Sequence, residues 1–497
     1  MTPSGPAASF DERGGPPAGP EPAWARWRVF PPIALGVIMA TLDASVVNIA
    51  LPTLQRTLHA GLATVEWVAL AYTLALTGFL LAAGRLADAR GRRGVYGAGL
   101  LLFVLASLLC GLAPSVHTLI VLRVFQGLAA ALVAANGSAL LVQAFPEAER
   151  GRALGAFGAM VGVGLAVGPP LGGLVVAHAS WRWIFLVNLP LGLLAHALLL
   201  RRVPRDAPSR SSPGVAGLPT LLWAGGLAGL LLAITRGAEA GGTSPWVVVL
   251  AAIGAGLLVA FVSTQRRAPE PLLPLDVIAG PLGAAVTLTF LGQLLSVSVG
   301  FHLPLVLETL GGWSAARSGA WLAVLPGAAL VCAPIAGRLA DRLGPRPLTS
   351  TGMLLTGAGL ALLSRLDTEL SVAALAGGMV LVGVGQGLFA VPNSSALLSL
   401  VPAARLGLAS GLQGTTRNLG IATGVALTGA LVTMRYRALS GTTLALGGPS
   451  PVDREAFRAA TQQTFLALAL LALVAAGLAW RAGGPREAPA DRAAASV

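Results

Sequence analysis

The chain has 497 residues, of which 55% are hydrophobic and 11% are charged. This composition excludes a soluble globular protein, because soluble domains carry about 25% charged residues. The net charge of +13 does not indicate a nucleic-acid partner, because the arginines lie in short loops between apolar runs and form no basic stripe. Both cysteines, Cys110 and Cys332, fall inside apolar runs, so we predict no disulfide framework, no metal site and no cofactor.

About fourteen apolar runs are long enough to cross a bilayer as helices, which takes about 20 residues each. We number them predicted spans 1 to 14. In order they lie at about 30–50, 66–84, 95–113, 118–143, 153–176, 183–200, 215–235, 245–264, 281–303, 317–337, 347–365, 371–398, 408–433 and 462–480. The pattern predicts an all-α polytopic membrane protein, with two pseudo-symmetric six-helix bundles plus two additional transmembrane helices between them.

Domain boundaries and orientation follow from the same runs. We predict a disordered cytoplasmic tail at 1–28, an N-terminal bundle at 29–200, a linker with the two extra helices at 201–270, a C-terminal bundle at 271–482 and a cytoplasmic tail at 483–497. With the N-terminus inside, about 22 arginines lie in the tails and inner loops and about nine in the outer loops. Since positive charge favours the cytoplasmic side, we predict that both termini are cytoplasmic.

Three charged residues occur well inside predicted spans. Asp43 in span 1 should face a cavity or a partner, since an ionised side chain at membrane depth costs about 2.5–3.5 kcal/mol on insertion scales. Arg123 in span 4 lies at a similar depth, at about 1.5 Å per residue, so the two are expected to meet. Asp43 is then either a proton carrier or a permanently paired residue that pins two helices. Arg417 in span 13 has no evident acidic partner, which leaves backbone carbonyls or an anionic substrate.

A five-residue sequence, Gly84–Asp88 (GRLAD), follows predicted span 2 and recurs as Gly337–Asp341 after predicted span 10. A repeat at the same place in each half indicates duplicated halves. The residue types favour a tight loop at the membrane surface, in which a carboxylate meets a helix N-terminus or an arginine. We expect Asp88 near the start of span 13 and Asp341 near the start of span 5. The residues assigned to gating are Gly84, Asp88, Arg92, Arg93, Gly337 and Asp341.

Predicted span 5 combines glycines with prolines. Prolines remove backbone donors and bend a helix, while glycines permit close packing against a neighbour. Such a helix suits an interface at which two bundles rock, although ordinary helix packing would account for the glycines alone. The hinge residues are Gly164, Gly168, Pro169, Gly172 and Gly173.

These motifs together resemble the fourteen-span drug:proton antiporter family of the major facilitator superfamily. The resemblance rests on the two GRLAD loops, on Leu42–Pro52 (LDASVVNIALP), on the Arg-Gln-Gly stretch of span 4, on the Gly-Pro stretch of span 5 and on Trp181–Gly192. It covers about residues 27–480 and implies two six-helix bundles around a central cavity. It also implies that Asp43 and Arg123 take part in proton coupling and that Asp88 supports the outward-open state.

The chain departs from relatives that export cationic dyes, because spans 9 to 14 lack buried acids. Glu308 falls near the outer rim of span 9, and Glu66 at the start of span 2 is interpreted as interfacial rather than coupling. The polar residues at membrane depth that we expect to line the substrate cavity are Asn48, Tyr72, Gln126, Asn136, Gln293, Gln386, Asn393, Gln413 and Arg417.

The leading hypothesis is a monomeric proton-coupled exporter of amphipathic small molecules in the cell membrane. Its partners would be the substrate, protons and the lipid bilayer, with no nucleic acid. An importer or facilitator of a small metabolite on the same scaffold is the alternative, and the Gly-Pro stretch disfavours it. A membrane receptor is a third hypothesis, which Asp43 and the duplicated loops weaken. No GxxxxGK[ST] loop and no catalytic cluster occurs, so neither a nucleotide-driven pump nor an enzyme is predicted.

Overall fold

The structure, a computed structural model, describes residues 26–145, 147–204, 217–240, 244–268, 280–366, 371–400, 406–442, 444 and 453–482. The side chains of a few residues inside these ranges, including Asp88, Asp341 and 406–411, lie outside the description. Within it, a 3-10 turn at Trp27–Val29 precedes sixteen α-helices.

The helices follow the predicted spans in chain order. The first nine are α1 (Phe30–Thr57), α2 (Leu62–Arg90), α3 (Arg92–Gly111), α4 (Val116–Ala144), α5 (Glu147–His178), α6 (Trp183–Leu186), α7 (Asn188–Arg202), α8 (Gly217–Ala240) and α9 (Pro245–Arg267). The remaining seven are α10 (Gly280–Thr309), α11 (Ala315–Leu322), α12 (Val324–Leu343), α13 (Pro345–Leu363), α14 (Val372–Ser399), α15 (Leu406–Ser440) and α16 (Arg454–Ala482). Predicted span 6 is interrupted at Val187 and predicted span 10 at Ala323.

In the described part of the chain, twelve helices or interrupted helix pairs are long and apolar enough to cross a bilayer. The other two predicted spans are also helical. One is α2, whose apolar stretch is Thr64–Leu80, and the other is the 19-residue α13. The chain is therefore an all-helical, multi-pass membrane protein, and the full count of fourteen crossings stays a prediction.

The packing of the first seven helices, the first helix set, is repeated by α10 to α16, the second helix set. Helix α1 packs along α5 as α10 packs along α15, and α3 lies between α4 and α7 as α13 lies between α14 and α16. Helices α8 and α9 pack against each other, and α8 also lies against α2 and α15. The repeated contacts agree with the duplication seen in the GRLAD sequences.

Glycines make the equivalent close contacts in both sets. A Cβ atom at Gly164 or Gly168 would overlap the side chains of Thr41 or Ser45 on α1. In the second set, a Cβ at Gly420 would lie 2.5 Å from the carbonyl oxygen of Phe290 on α10. Since real Cβ atoms do not approach that closely, these helix pairs meet backbone to backbone.

Close contacts between the two sets occur where α1 and α10 end. Gly173 on α5 has no room for a Cβ because the backbone of Ala315 on α11 lies against it. At the same end, Arg56 Nη2 donates to Glu308 Oε2 at 2.8 Å. We call this end of the molecule, with its Arg56–Glu308 ion pair, the Arg56 end.

Each GRLAD sequence lies near the end of a helix and is followed by a tight turn. Gly84 and Gly337 lie inside α2 and α12, and no described atom lies within 4 Å of a Cβ placed at Gly84. The turn after each sequence contains one glycine with a left-handed backbone, Gly91 with φ 94° in the first copy and Gly344 with φ 78° in the second. Glycine is favoured there because a side chain strains a left-handed backbone.

Candidate functional site

The Asp43 carboxylate lies in the interior of the first helix set and is fully buried. Its Oδ2 atom accepts a hydrogen bond from Arg123 Nη1 at 2.6 Å. Its Oδ1 atom accepts from Gln126 Nε2 at 3.0 Å and from Asn188 Nδ2 at 2.8 Å. The predicted meeting of Asp43 with Arg123 therefore occurs in the structure.

Helix periodicity explains why Asp43 points inward. Thr41 and Ser45 occupy the face of α1 that packs against the glycines of α5. Gly36 lies seven residues before Asp43 and so shares its face. At Gly36 a Cβ would overlap Tyr96 of α3, which places the Asp43 face against α3 and its neighbours α4 and α7.

The Arg123 guanidinium is fully buried and surrounded by acceptors. Its Nε atom donates to the carbonyl oxygen of Val68 at 2.8 Å, and Nη1 also donates to Gln126 Oε1 at 2.7 Å. The guanidinium carbon lies 4.2 Å from the centre of the Tyr72 ring and 5.6 Å from that of Phe185. Aromatic faces attract a cation, so both rings add to the stabilisation of the charge.

Two amides complete the network. Gln126 Nε2 and Asn188 Nδ2 each donate to Ser107 Oγ, at 2.8 Å and 3.0 Å, as well as to Asp43. Asn188 stands at the first position of α7, directly after the interruption at Val187. Sequence reasoning missed Asn188 and Ser107 as site residues, although a polar side chain inside an apolar run is a signal for both.

The two charges of this network depend on each other. A buried ion pair that is fully hydrogen-bonded is tolerated, whereas removing one charge leaves the other uncompensated, at a cost of about 3–5 kcal/mol.

Four of the predicted cavity residues have their side chains inside helix contacts instead. Tyr72 lies over Arg123, and Gln126 belongs to the Asp43 network. Asn136 is buried and donates to the Leu132 carbonyl of its own helix at 2.7 Å. Asn393 is buried and donates to Thr289 Oγ1 at 2.9 Å, joining α14 to α10. Polar side chains at membrane depth take the nearest partners, on their own helix for Asn136 and on neighbouring helices for Gln126 and Asn393.

The other five predicted cavity residues differ from one another in exposure and in hydrogen bonding. Asn48 and Gln293 are half-buried. Gln413 Nε2 donates to Ser394 Oγ at 2.5 Å, and the buried Nε2 of Gln386 has no hydrogen-bond partner among the described residues. Arg417 is exposed.

The contacts predicted for the two gating aspartates involve side chains that lie outside the described residues. The side chains of Asp88 and Asp341, and those of α15 before Leu412, lie outside the described residues, so the expected Asp88 contact stays a prediction. Arg92 is half-buried. Arg93 Nη2 donates to the Leu200 carbonyl at the end of α7 at 3.0 Å, a contact within the first helix set.

The carboxylates that the sequence placed at a rim are buried at the Arg56 end. Glu308 pairs with Arg56, and its side chain is 7% exposed. Glu66 is 1% exposed and fills the space above Gly429 of α15, where a Cβ would overlap its carboxylate. Sequence reasoning also missed His302, which is buried in the second set with Nε2 3.0 Å from Thr461 Oγ1.

Comparisons with known proteins agree with this description. Residues 33–311 and 282–496 match the family profile of the Major Facilitator Superfamily. The Puromycin resistance protein pur8 of Streptomyces alboniger is 38% identical over 415 residues, which cover 82% of this chain and 82% of that protein. The Tetracenomycin C resistance and export protein of Streptomyces glaucescens is 33% identical over 412 residues, which cover 82% of this chain and 76% of that protein.

A solved structure shares the fold. A bacterial homolog of the human lysosomal transporter Spinster, in an inward-facing and unoccupied conformation, aligns with a TM-score of 0.67 at 16% identity. The alignment covers 93% of this chain and 98% of that chain.

The repeated helix packing is that of a polytopic membrane protein, and the family match makes it a transporter rather than an enzyme. The chain belongs to the Major Facilitator Superfamily, and relatives of similar length are antibiotic-resistance and multidrug-resistance proteins.

Proposed function

We propose that this chain is a proton-coupled antiporter that exports amphipathic small molecules, such as drugs or antibiotics, by alternating access. It works as a monomer of two six-helix bundles, the first and second helix sets, with α8 and α9 as the additional helices. Helices α2 and α13 then complete fourteen crossings, and both termini are cytoplasmic. The observation that carries the proposal is the buried Asp43–Arg123 ion pair with its ring of hydrogen bonds.

The proton step follows from the chemistry of that pair. In the observed state the Asp43 carboxylate accepts hydrogen bonds from Arg123, Gln126 and Asn188. A proton that reaches Asp43 weakens the pairing and leaves Arg123 uncompensated, which favours a different packing of the first bundle. Inward movement of one proton supplies about 2.3 kcal/mol per 100 mV of membrane potential, with the pH gradient in addition.

The conformational step uses the contacts between the bundles. The Arg56 end, which the proposed orientation places outside, is held by the Arg56–Glu308 pair and by the fit of Glu66 onto Gly429. Gly173 and Pro169 of α5 lie at the contact with Ala315 and Gly319 of α11. Opening this end would separate these surfaces while the GRLAD sequences come together at the other end.

The direction of transport is supported by the relatives. One is a resistance and export protein for tetracenomycin C and another is a puromycin resistance protein. An importer or facilitator of a small metabolite is the alternative function on the same scaffold, and the identity of these relatives disfavours it.

Transport into inside-out membrane vesicles tests the proposal. Vesicles that carry the protein should accumulate radiolabelled puromycin or tetracenomycin C only when their interior is made acidic, and Asp43→Asn should abolish the accumulation. Asp453→Asn is a suitable control, because Asp453 is exposed and caps the start of α16, where asparagine is equally favourable. Uptake by intact cells driven by inward substrate flow, without dependence on protons, would indicate the alternative.

A further inference from the structure

Arg417 stands out on a helix that is otherwise covered. From Leu412 to Thr433 it is the one exposed residue of α15. The adjacent residues Thr416 and Asn418 are buried. The Arg417 side chain therefore projects into open space from a helix whose other sides are covered.

The neighbours of Arg417 on its own helix show which way it points. Gln413, Arg417 and Gly420 share one face, because side chains three and four residues apart are neighbours on a helix. Gln413 bonds to Ser394 on α14, and a Cβ at Gly420 would lie 3.0 Å from the Cβ of Gln293 on α10. The cation therefore lies between α10 and α14, on the inner side of the second helix set.

The charge of Arg417 is uncompensated by the described residues. It forms no hydrogen bond or ion pair within the described part of the chain. The other arginine at membrane depth, Arg123, is by contrast neutralised by Asp43 at 2.6 Å. The interior at this depth consequently carries an excess of one positive charge while Asp43 is ionised.

Two amide side chains belong to the helices on either side of this cation, Gln293 to α10 and Gln386 to α14. Gln293 is half-buried and follows Gly292, at which an added Cβ would overlap the Phe389 ring of α14. Gln386 lies one helical turn before Phe389, and its buried Nε2 donates to no described residue. Donors around a guanidinium suit an acceptor that carries negative charge, since charge-assisted hydrogen bonds are about twice as strong as neutral ones.

We infer that Arg417 binds the acidic group of the substrate, and that this transporter prefers amphipathic organic anions, such as carboxylates, over organic cations. The inference rests on the proposed function in one respect, namely that the cavity holding Arg417 is the substrate site. Gln293, which lies beside Gly420 on the same face of α15 as Arg417, would donate to the same acidic group. The apolar part of the molecule would lie against the aliphatic side chains of the cavity.

The test uses three probes with one fluorophore and different charge: dansylglycine (an anion), dansylamide (neutral) and dansylcadaverine (a cation). Their binding to the purified protein is measured in nanodiscs of phosphatidylcholine by dansyl fluorescence. We expect dansylglycine to bind about tenfold more tightly than dansylamide, and dansylcadaverine to bind most weakly. Arg417→Gln should remove the preference for dansylglycine over dansylamide, whereas Arg417→Lys should retain part of it.

Arg435→Gln is the matched control, since Arg435 is exposed near the end of the same helix. Equal affinities for the three probes in the wild-type protein, or no saturable binding of dansylglycine, would overturn the inference without any variant. A preference that survives in Arg417→Gln would also overturn it. If phosphatidylglycerol added to the nanodiscs displaces dansylglycine at high ionic strength, a lipid headgroup occupies the site and the substrate assignment is wrong.

Failure of this inference is separable from failure of the proposed function. The binding measurement is made at equilibrium without a proton gradient, so it is independent of coupling. A protein that binds dansyl anions through Arg417 but transports nothing on acidification would retain the anion site and lose the antiport proposal.

Discussion

Arg123 on α4 donates to Asp43 on α1 at 2.6 Å, and neither side chain is accessible to solvent. Four further polar groups, from Val68, Gln126, Asn188 and Ser107, hold the two in place directly or through one intermediate. A buried pair of this kind contributes little net stability but makes the loss of either charge expensive.

The free energies of unfolding of single and double variants should show that losing one charge of the pair is costly, whereas losing both adds little more. Asp43→Asn and Arg123→Gln should each lower the free energy of unfolding by about 3 kcal/mol, because each leaves one buried charge uncompensated. The double variant should lose less than the sum of the two, since no charge remains. Thermal unfolding in one detergent, analysed as a double-mutant cycle, measures the coupling. Additive losses would contradict an interaction between the two side chains.

The Arg56–Glu308 pair should bias the molecule toward a closed Arg56 end. Arg56 is half-exposed, so the pair is worth at most about 1 kcal/mol, and Glu308→Gln should shift the closed-to-open ratio by roughly fivefold or less. Spin labels at Thr57 and Gly311, in a background without native cysteines, report the opening as a longer distance. Glu455→Gln breaks an exposed local pair with Arg458 and is the control. An unchanged distance distribution in Glu308→Gln would remove the pair from the closing contacts.

Gly429→Ala should also destabilise the closed Arg56 end, in this case through the contact between Glu66 and α15. The added methyl group overlaps the Glu66 carboxylate, so this buried carboxylate must leave its position against α15. We expect a lower unfolding temperature and the same longer spin-label distance. Gly477→Ala on α16 is the control, because nothing described lies within 4 Å of its Cβ position. Alanine at such a helical site should stabilise the protein by about 0.5–1 kcal/mol.

Asp88→Asn should slow transport and favour the state in which the GRLAD end is open. The expected partner of Asp88 is the start of α15, whose unpaired N–H groups attract negative charge with about 0.3–2 kcal/mol. Losing that attraction would change a balanced equilibrium up to roughly thirtyfold. Alkylation of a cysteine introduced at Gly94, which is exposed directly after the turn, reports the opening of this end. Wild-type transport rates in Asp88→Asn would refute the gating role.

Much of the fold was predictable from the sequence. All fourteen apolar runs coincide with helices, because a run of apolar residues at membrane length is a local signal. The pairing of Asp43 with Arg123 was also predictable, since helix rise places both at one depth. Few other charged residues lie at that membrane depth, so each of the two had few possible partners.

The remaining features of the site depend on contacts between helices that are far apart in sequence, which no local sequence pattern predicts. Asn188 and Ser107 reach Asp43 because α7 and α3 converge on it. Glu66 is buried because a glycine on α15, more than 360 residues away, leaves room for its carboxylate.

Proton release on substrate binding tests the central claim most directly. If one site in the first helix set is used by the proton and controls access for the substrate, saturating substrate must displace protons from the purified protein. We predict an acidification of weakly buffered solution, read with a pH indicator dye, when wild-type protein binds the compound that the vesicle assay finds transported. Asp43→Asn should bind the compound and release no protons. Equal proton release from wild type and Asp43→Asn would show that the coupling proton is carried elsewhere.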